Sequence, residues 1–160
     1  MSKFFSKIND LLAMGLGVGY IPWAPGTFGS ALALAFAILF PEWVFFTLSG
    51  ALVLGLGALL TAPICGMAEK RLGHDAGGIV LDEMIGMWMA LFLLPRVWWV
   101  WLAAFLLFRL LDITKPMGIA ALQRVPGGWG VLLDDVAAGV VAGLLTHGLL
   151  AVIGFVRLAG

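Results

Sequence analysis

Two adjacent carboxylate pairs, Asp82-Glu83 and Asp134-Asp135, interrupt the apolar runs IVLDEMIGMW and GVLLDDVAAG, fifty-two residues apart. Acids in such runs are costly, by about 2.5–3.5 kcal/mol each at the centre of a membrane helix on insertion scales. Two such pairs point to a polyvalent cation or a proton path, and the cation is the better supported. Consecutive helical residues project about 100° apart, so each pair sends one carboxylate into a bundle and the other towards a loop. Two or three carboxylates converging from different helices make an oxygen-rich site for Mg2+, which keeps waters and takes phosphate oxygens as further ligands. The plainer account is that acids near helix N-termini complement the helix dipole. It suits a single exposed acid better than two pairs inside apolar runs.

Other candidates surround these pairs in the sequence. FRLLDITKP supplies Arg109, Asp112 and Lys115, with Pro116 ending the helix. Arg109 and Asp112, at i and i+3, form either a plain ion pair or a phosphate-binding arginine beside a further metal ligand. Lys115, in a loop near the acids, reads as a point charge for phosphate. PGTFGS places Gly26 and Thr27 at a helix start whose backbone N–H groups can cradle a phosphate. Thr27 stands open between ligand, phosphate donor and helix cap, and Ser30 is the alternative cap. His74, in GHDAGG, either protonates a leaving group or hydrogen-bonds a ligating carboxylate. His147, between Thr146 and Gly148 in an apolar run, reads as structural, with a backbone partner. Cys65 is the only cysteine, which leaves out intrachain disulfides and cysteine-based zinc sites; it is expected to be buried and inert.

The elements that must position these residues belong to a membrane protein. Apolar residues make up 62% and charged residues 11% of the chain, against roughly 45–50% and about 25% in soluble domains. The net charge of zero leaves no basic surface for nucleic acid. MSKFFSKINDLLAMGLG has the look of a signal peptide, but Asp10 breaks it and no small-x-small site follows promptly. It is expected to be retained as an amphipathic helix on the membrane surface. Residues 11–22, with Gly15, Gly17, Gly19 and Pro22, read as re-entrant or interfacial.

The remainder predicts an all-α polytopic bundle of about five helices in one domain over residues 1–160: about 27–40, 43–66, 79–94, 97–112 and 131–156. The first and third, with roughly 15 residues or about 22 Å, fall short of the hydrocarbon core. Alternating the sides places Thr27, the 68–78 loop, Asp82-Glu83, Arg109, Asp112, the 114–130 loop and Asp134-Asp135 on one face. That face also takes Lys70, Arg71, Lys115 and Arg124, whereas the other keeps Arg96 and Arg157. The positive-inside rule then turns the polar face to the cytoplasm. Trp98, Trp99 and Trp101 form an aromatic belt on the far side.

PGTFGS, HDAGGIVLDEMIGMW, FRLLDITKP and GGWGVLLDDVAAG, taken together, resemble the phosphatidylglycerophosphatase A family in order, spacing and wording over roughly residues 15–145. The resemblance implies a Mg2+-dependent lipid phosphatase of the bacterial inner membrane that converts phosphatidylglycerophosphate to phosphatidylglycerol, with membrane lipids as its surroundings and no obligatory protein partner. It emphasises Thr27, His74, Asp75, Asp82, Glu83, Arg109, Asp112, Lys115, Pro116, Gly128, Gly130, Asp134 and Asp135. Gly118 departs from the pattern, where the family often has a second proline. The expected mechanism has Asp82, Asp134 and either Asp112 or Glu83 on one or two Mg2+ ions, with Asp135 adjacent. Lys115 and Arg109 stabilise transition-state charge, and water is the preferred nucleophile over Thr27. The competing class is an ion- or proton-coupled transporter, which calls for acids spread through membrane depth and internal duplication. A non-catalytic scaffold binding anionic lipid through basic loops is a third reading.

Overall fold

The computed structural model describes residues 3–73, 76–116 and 118–159, the last five of them as backbone only. The described residues are all helical, apart from turns and connections. Helix α1 (Lys3–Ala13) leads through a 3₁₀ stretch (Gly15–Tyr20) to α2 (Pro25–Leu39) and the short α3 (Trp43–Phe46). Then follow α4 (Leu48–Leu72), α5 (Leu81–Leu91), α6 (Trp98–Thr114), the short α7 (Ile119–Leu122) and α8 (Gly128–Ala159).

Three boundaries differ from the sequence expectation, each for a local reason. Helix α2 starts at Pro25, whose fixed φ suits the first helical position, behind Ala24 in a left-handed conformation with no side-chain cap. Thr27 and Ser30 therefore lie inside the helix and cap nothing; the Ser30 hydroxyl donates to Gly26 O at 2.8 Å. The expected 43–66 segment breaks at Thr47, which is extended and caps α4. Its hydroxyl donates to Trp43 O at 2.7 Å and accepts from Gly50 N at 3.0 Å. Helix α4 then runs on to Leu72 and absorbs the start of the expected loop. Replacing Thr47 by alanine is expected to lower stability by about 1 kcal/mol, readable as a lower thermal midpoint in detergent with turnover unchanged.

The third difference bears on the acids. Helix α8 opens at Gly128, not near residue 131. Gly128 lies so close to α4 that a Cβ there would fall on Ala62 O, and Gly127 has a positive φ of 72°. Only glycine lets the helix begin against that neighbour. Asp134 is then six residues beyond the first helical position, roughly 9 Å along the axis. The helix dipole acts within the first turn, so it does not account for Asp134 or Asp135.

The N-terminal stretch braces the approach to α5. Asn9 Nδ2 donates to Ile64 O at 3.1 Å, and Asp10 ion-pairs with Arg71 on α4. Val80 N donates to Ala13 O at 2.9 Å. Gly19 sits against the backbone of Gly78, leaving no room for a side chain. The stretch 78–80 before Leu81 is thereby fixed, and with it the start of the helix carrying Asp82.

Helix α5 lies at the centre, burying Met84, Met87, Ala90 and Leu91 among Phe45, Trp101 and Phe108. Trp88 Nε1 donates to Ala33 O at 2.8 Å and ties it to α2. Outward, α4 exposes Leu52, Leu56, Leu59 and Leu60, and α8 exposes Leu144, Leu145, Leu149 and Val152. By length and composition Leu48–Leu72 and Gly128–Gly154 are apolar enough to cross a membrane, yet only 28% of either apolar window is buried. A helix of a soluble core would hide that face; leaving it open accords with a membrane-associated protein.

Candidate active site

Two stripes of small residues bring the acids together. On α5, Asp82, Gly86 and Ala90 follow one another at intervals of four; on α8, Asp135, Gly139 and Gly143 do the same. Residues four apart share a helix face. A Cβ on Gly139 would fall on Gly86 O, one on Gly86 would come within 2.7 Å of Asp135 O, and one on Gly143 within 3.0 Å of Ala90 O. The two helices therefore run parallel in near backbone contact, as small residues permit. One turn above the Gly86–Gly139 crossing, Asp82 and Asp135 stand level with each other.

Glu83 completes the group. Asp82, Glu83 and Asp135 each offer a carboxylate oxygen within 4.8 Å of the others. Asp82 and Asp135 are nearly inaccessible, and Asp82 Oδ1 accepts from Glu83 N at 3.0 Å. Glu83 Oε2 and Asp135 Oδ1 are buried without any hydrogen-bond partner. Buried anionic oxygens without donors are strongly disfavoured unless neutralised. This donor set, all carboxylate and with lone pairs to spare, fits a hard divalent cation such as Mg2+.

Positive charge borders the cluster. Arg109 Nη1 contacts Asp112 Oδ2 at 2.6 Å, so the i, i+3 ion pair is present, and it reaches Ser30 Oγ at 3.4 Å. A Cβ on Gly26 would collide with the Glu83 carboxylate and lie 3.1 Å from Arg109 Nη2. The bare backbone of the α2 start is thus packed against both. Asp112 in turn approaches the Asp135 carboxyl. Thr27, half-buried, follows Gly26, with its N–H bonded to Ala24 O at 2.9 Å.

Asp134 takes a different partner from the one expected. Its Oδ2 forms a close ion pair with Lys115 Nζ, and the acid that joins Asp82 and Glu83 is its neighbour Asp135. The roughly 100° step between consecutive helical residues separates the two roles. Lys115 closes α6 in a left-handed conformation, its N–H bonded to Leu111 O at 2.7 Å. Burial alone would lower its pKa, but the Asp134 hydrogen bond and the charges of Asp134, Asp135 and Asp112 outweigh it and hold the ammonium above its ordinary value. Lys115 is therefore a fixed charge at neutral pH, poorly suited to giving up a proton.

His147 is remote from all this, twelve residues beyond Asp135 on α8, or roughly 18 Å. Its Nδ1 lies 2.8 Å from Gly143 O and its Nε2 3.2 Å from Leu93 O, the expected backbone partnership. His74 and Asp75 lie outside the described residues. Gly128 and Gly130 serve close packing, the latter against Val125 O and Gln123 O. Cys65 is buried, as expected.

A family model described as phosphatidylglycerophosphatase A matches residues 11–150. The phosphatidylglycerophosphatase A of Escherichia coli K12 is 45% identical over 141 residues, covering 84% of this chain and 80% of the relative. That of Haemophilus influenzae is 37% identical, covering 88% of each. A Bacteroides thetaiotaomicron protein named as a candidate phosphatidylinositol-3-phosphatase is 38% identical, covering 88% of this chain and 92% of its own length. No solved structure matches.

Proposed function

This chain belongs to the phosphatidylglycerophosphatase A family, and from that premise we propose that its reaction takes place at the Asp82–Glu83–Asp135 cluster with Mg2+ held between the carboxylates. The chain is a phosphatidylglycerophosphatase, associated with the membrane that holds its phospholipid substrate. It hydrolyses the terminal phosphate monoester of phosphatidylglycerophosphate: water forms the new bond to phosphorus, the bond to the glycerol oxygen breaks, and a proton returns to that oxygen. The products are phosphatidylglycerol and inorganic phosphate. The observation that carries the assignment of the site is the approach of three carboxylates within 4.8 Å, with Glu83 Oε2 and Asp135 Oδ1 unpartnered.

When bound there, Mg2+ would supply Lewis acidity toward the phosphoryl oxygens and lower the pKa of an attacking water. Asp82, Glu83 and Asp135 would hold it, and Asp112 would support the group through its approach to Asp135. Arg109, kept in place by Asp112 and Ser30, turns its fork toward phosphate oxygens beside Gly26. Lys115, positioned by Asp134, adds a fixed positive charge that stabilises negative charge developing in the transition state. Water is favoured as nucleophile; Thr27 is the alternative, placed by its position beside Gly26. The substrate's acyl chains stay in the bilayer while its headgroup enters from the cytoplasmic face. In this reading α2, α4, α5, α6 and α8 cross the inner membrane as one domain. Helix α1, with Phe4, Phe5, Ile8, Leu11 and Leu12 exposed beside Lys3 and Lys7, lies along the interface.

The test is phosphate release by the purified protein from phosphatidylglycerophosphate, with phosphatidylinositol 3-phosphate as comparison, first in Mg2+ and then in excess EDTA. Release that stops with chelation and returns with Mg2+ is expected; release undiminished by EDTA refutes the metal assignment. Lys115→Gln is expected to lower kcat by about 10²-fold while the Mg2+ requirement persists, in the range seen when one transition-state donor is removed. An unchanged kcat would remove Lys115 from the chemistry.

A further inference from the structure

We propose that the end of the bundle away from the acidic cluster carries a second lipid site, in which Arg96 and Trp101 bind the phosphate of an anionic phospholipid. Arg96 lies between α5 and α6, and α6 separates it from Arg109 by roughly 16 Å from residue 98 to residue 109. Its Nη2 donates to Phe40 O and reaches Ala37 O at 3.4 Å, capping the C-terminal end of α2. Its guanidinium carbon stands 5.8 Å from the centre of the Trp101 ring. A cap explains Nη2 and no more. Arg96 Nε and Trp101 Nε1 are both buried without a hydrogen-bond partner, and Trp101 is only 7% exposed. Among the described residues no carboxylate is ion-paired with Arg96.

These two residues line one cavity of about 240 Å³, together with Ile38, Val97 and Trp98. Buried N–H donors call for acceptors, and a cation without a carboxylate calls for an anion. A phosphodiester offers both through its non-bridging oxygens, to which arginine bonds strongly. The rest of the lining selects a lipid over free phosphate. Ile38 and Leu39 are exposed beside it, and Trp98 stands 77% exposed, as tryptophans do at headgroup depth. The inference rests on the chain being embedded in a membrane and is independent of the catalytic assignment.

Native mass spectrometry of the full-length protein titrated with phosphatidylglycerol, with phosphatidylcholine and inorganic phosphate as separate arms, tests this. Wild type is expected to retain phosphatidylglycerol in preference to phosphatidylcholine, and inorganic phosphate is expected not to displace it. Arg96→Gln should weaken retention about tenfold, as for loss of a hydrogen bond to a charged group. Should that variant fail to fold for want of the α2 cap, Trp101→Phe decides alone. It keeps the ring, removes the N–H, and should weaken retention severalfold with phosphate release unchanged. Retention equal to wild type in Trp101→Phe, displacement by inorganic phosphate, or a parallel loss of turnover would each overturn the proposal.

Discussion

Asparagine at Asp82 or at Asp135 is expected to lower phosphate release about 10³-fold or more while the protein still inserts and folds. Asparagine keeps the shape of the carboxyl group and removes its charge. The loss follows from the several kcal/mol of transition-state charge stabilisation a divalent ion provides, each 1.36 kcal/mol being a factor of about ten. A thermal readout separates this from simple damage. Three carboxylates within 4.8 Å repel one another when no cation lies between them, so Mg2+ should raise the thermal midpoint of wild type by mass action. In Asp135→Asn the repulsion is relieved, and added Mg2+ should leave the midpoint nearly unmoved. Asp134→Asn should behave differently, because Asp134 pairs with Lys115. It should cost turnover yet keep the Mg2+-dependent stabilisation. Near-normal turnover in Asp82→Asn and Asp135→Asn together would remove the cluster from the reaction.

The second large effect concerns a residue with no chemistry of its own. Gly139→Leu is expected to lower turnover by about 10²-fold or more, because a displacement of roughly 1 Å at the reacting groups is enough for that. A side chain at Gly139 meets Gly86 O, a backbone atom that has nowhere to go, so α5 and α8 must separate. Asp82 and Asp135 sit one turn above this contact and would part with it. Overpacking of this kind typically costs about 1–3 kcal/mol in stability as well. Gly148 on the same helix faces open space, so Gly148→Ala is the control. It should be neutral or stabilise by up to about 1 kcal/mol, the difference in helix propensity. Thermal midpoints and phosphate release measured on both variants decide the matter, and equal behaviour of the two would contradict the crossing as the device that assembles the site.

Much of this site is legible in the sequence, and its limits are instructive. The paired acids stand out because carboxylates in apolar runs are rare, and Arg109 with Asp112 is readable from their helical spacing. The choice between Asp134 and Asp135 depends on helical phase. Reading GGWG as loop removes the first turn of α8 and hides that phase. A usable signal was nonetheless present: Gly139 and Gly143 mark the side of α8 that can approach another helix, and Asp135 shares that side while Asp134 does not. The break at Thr47 escapes hydropathy because a lone threonine in an apolar run barely alters it, while its hydroxyl still ends one helix and starts the next. The bracing of residues 78–80 by Gly19 and Ala13 is a contact between distant segments. No local periodicity announces it.

Mn2+ is an EPR-active stand-in for Mg2+, and its binding to the purified protein tests the shared ion site most directly. Wild type should show bound Mn2+ that Mg2+ displaces, and the same signal should vanish in Asp135→Asn but survive in Asp134→Asn. Binding that persists undiminished in Asp135→Asn, or is absent from wild type, would contradict a divalent ion held by Asp82, Glu83 and Asp135.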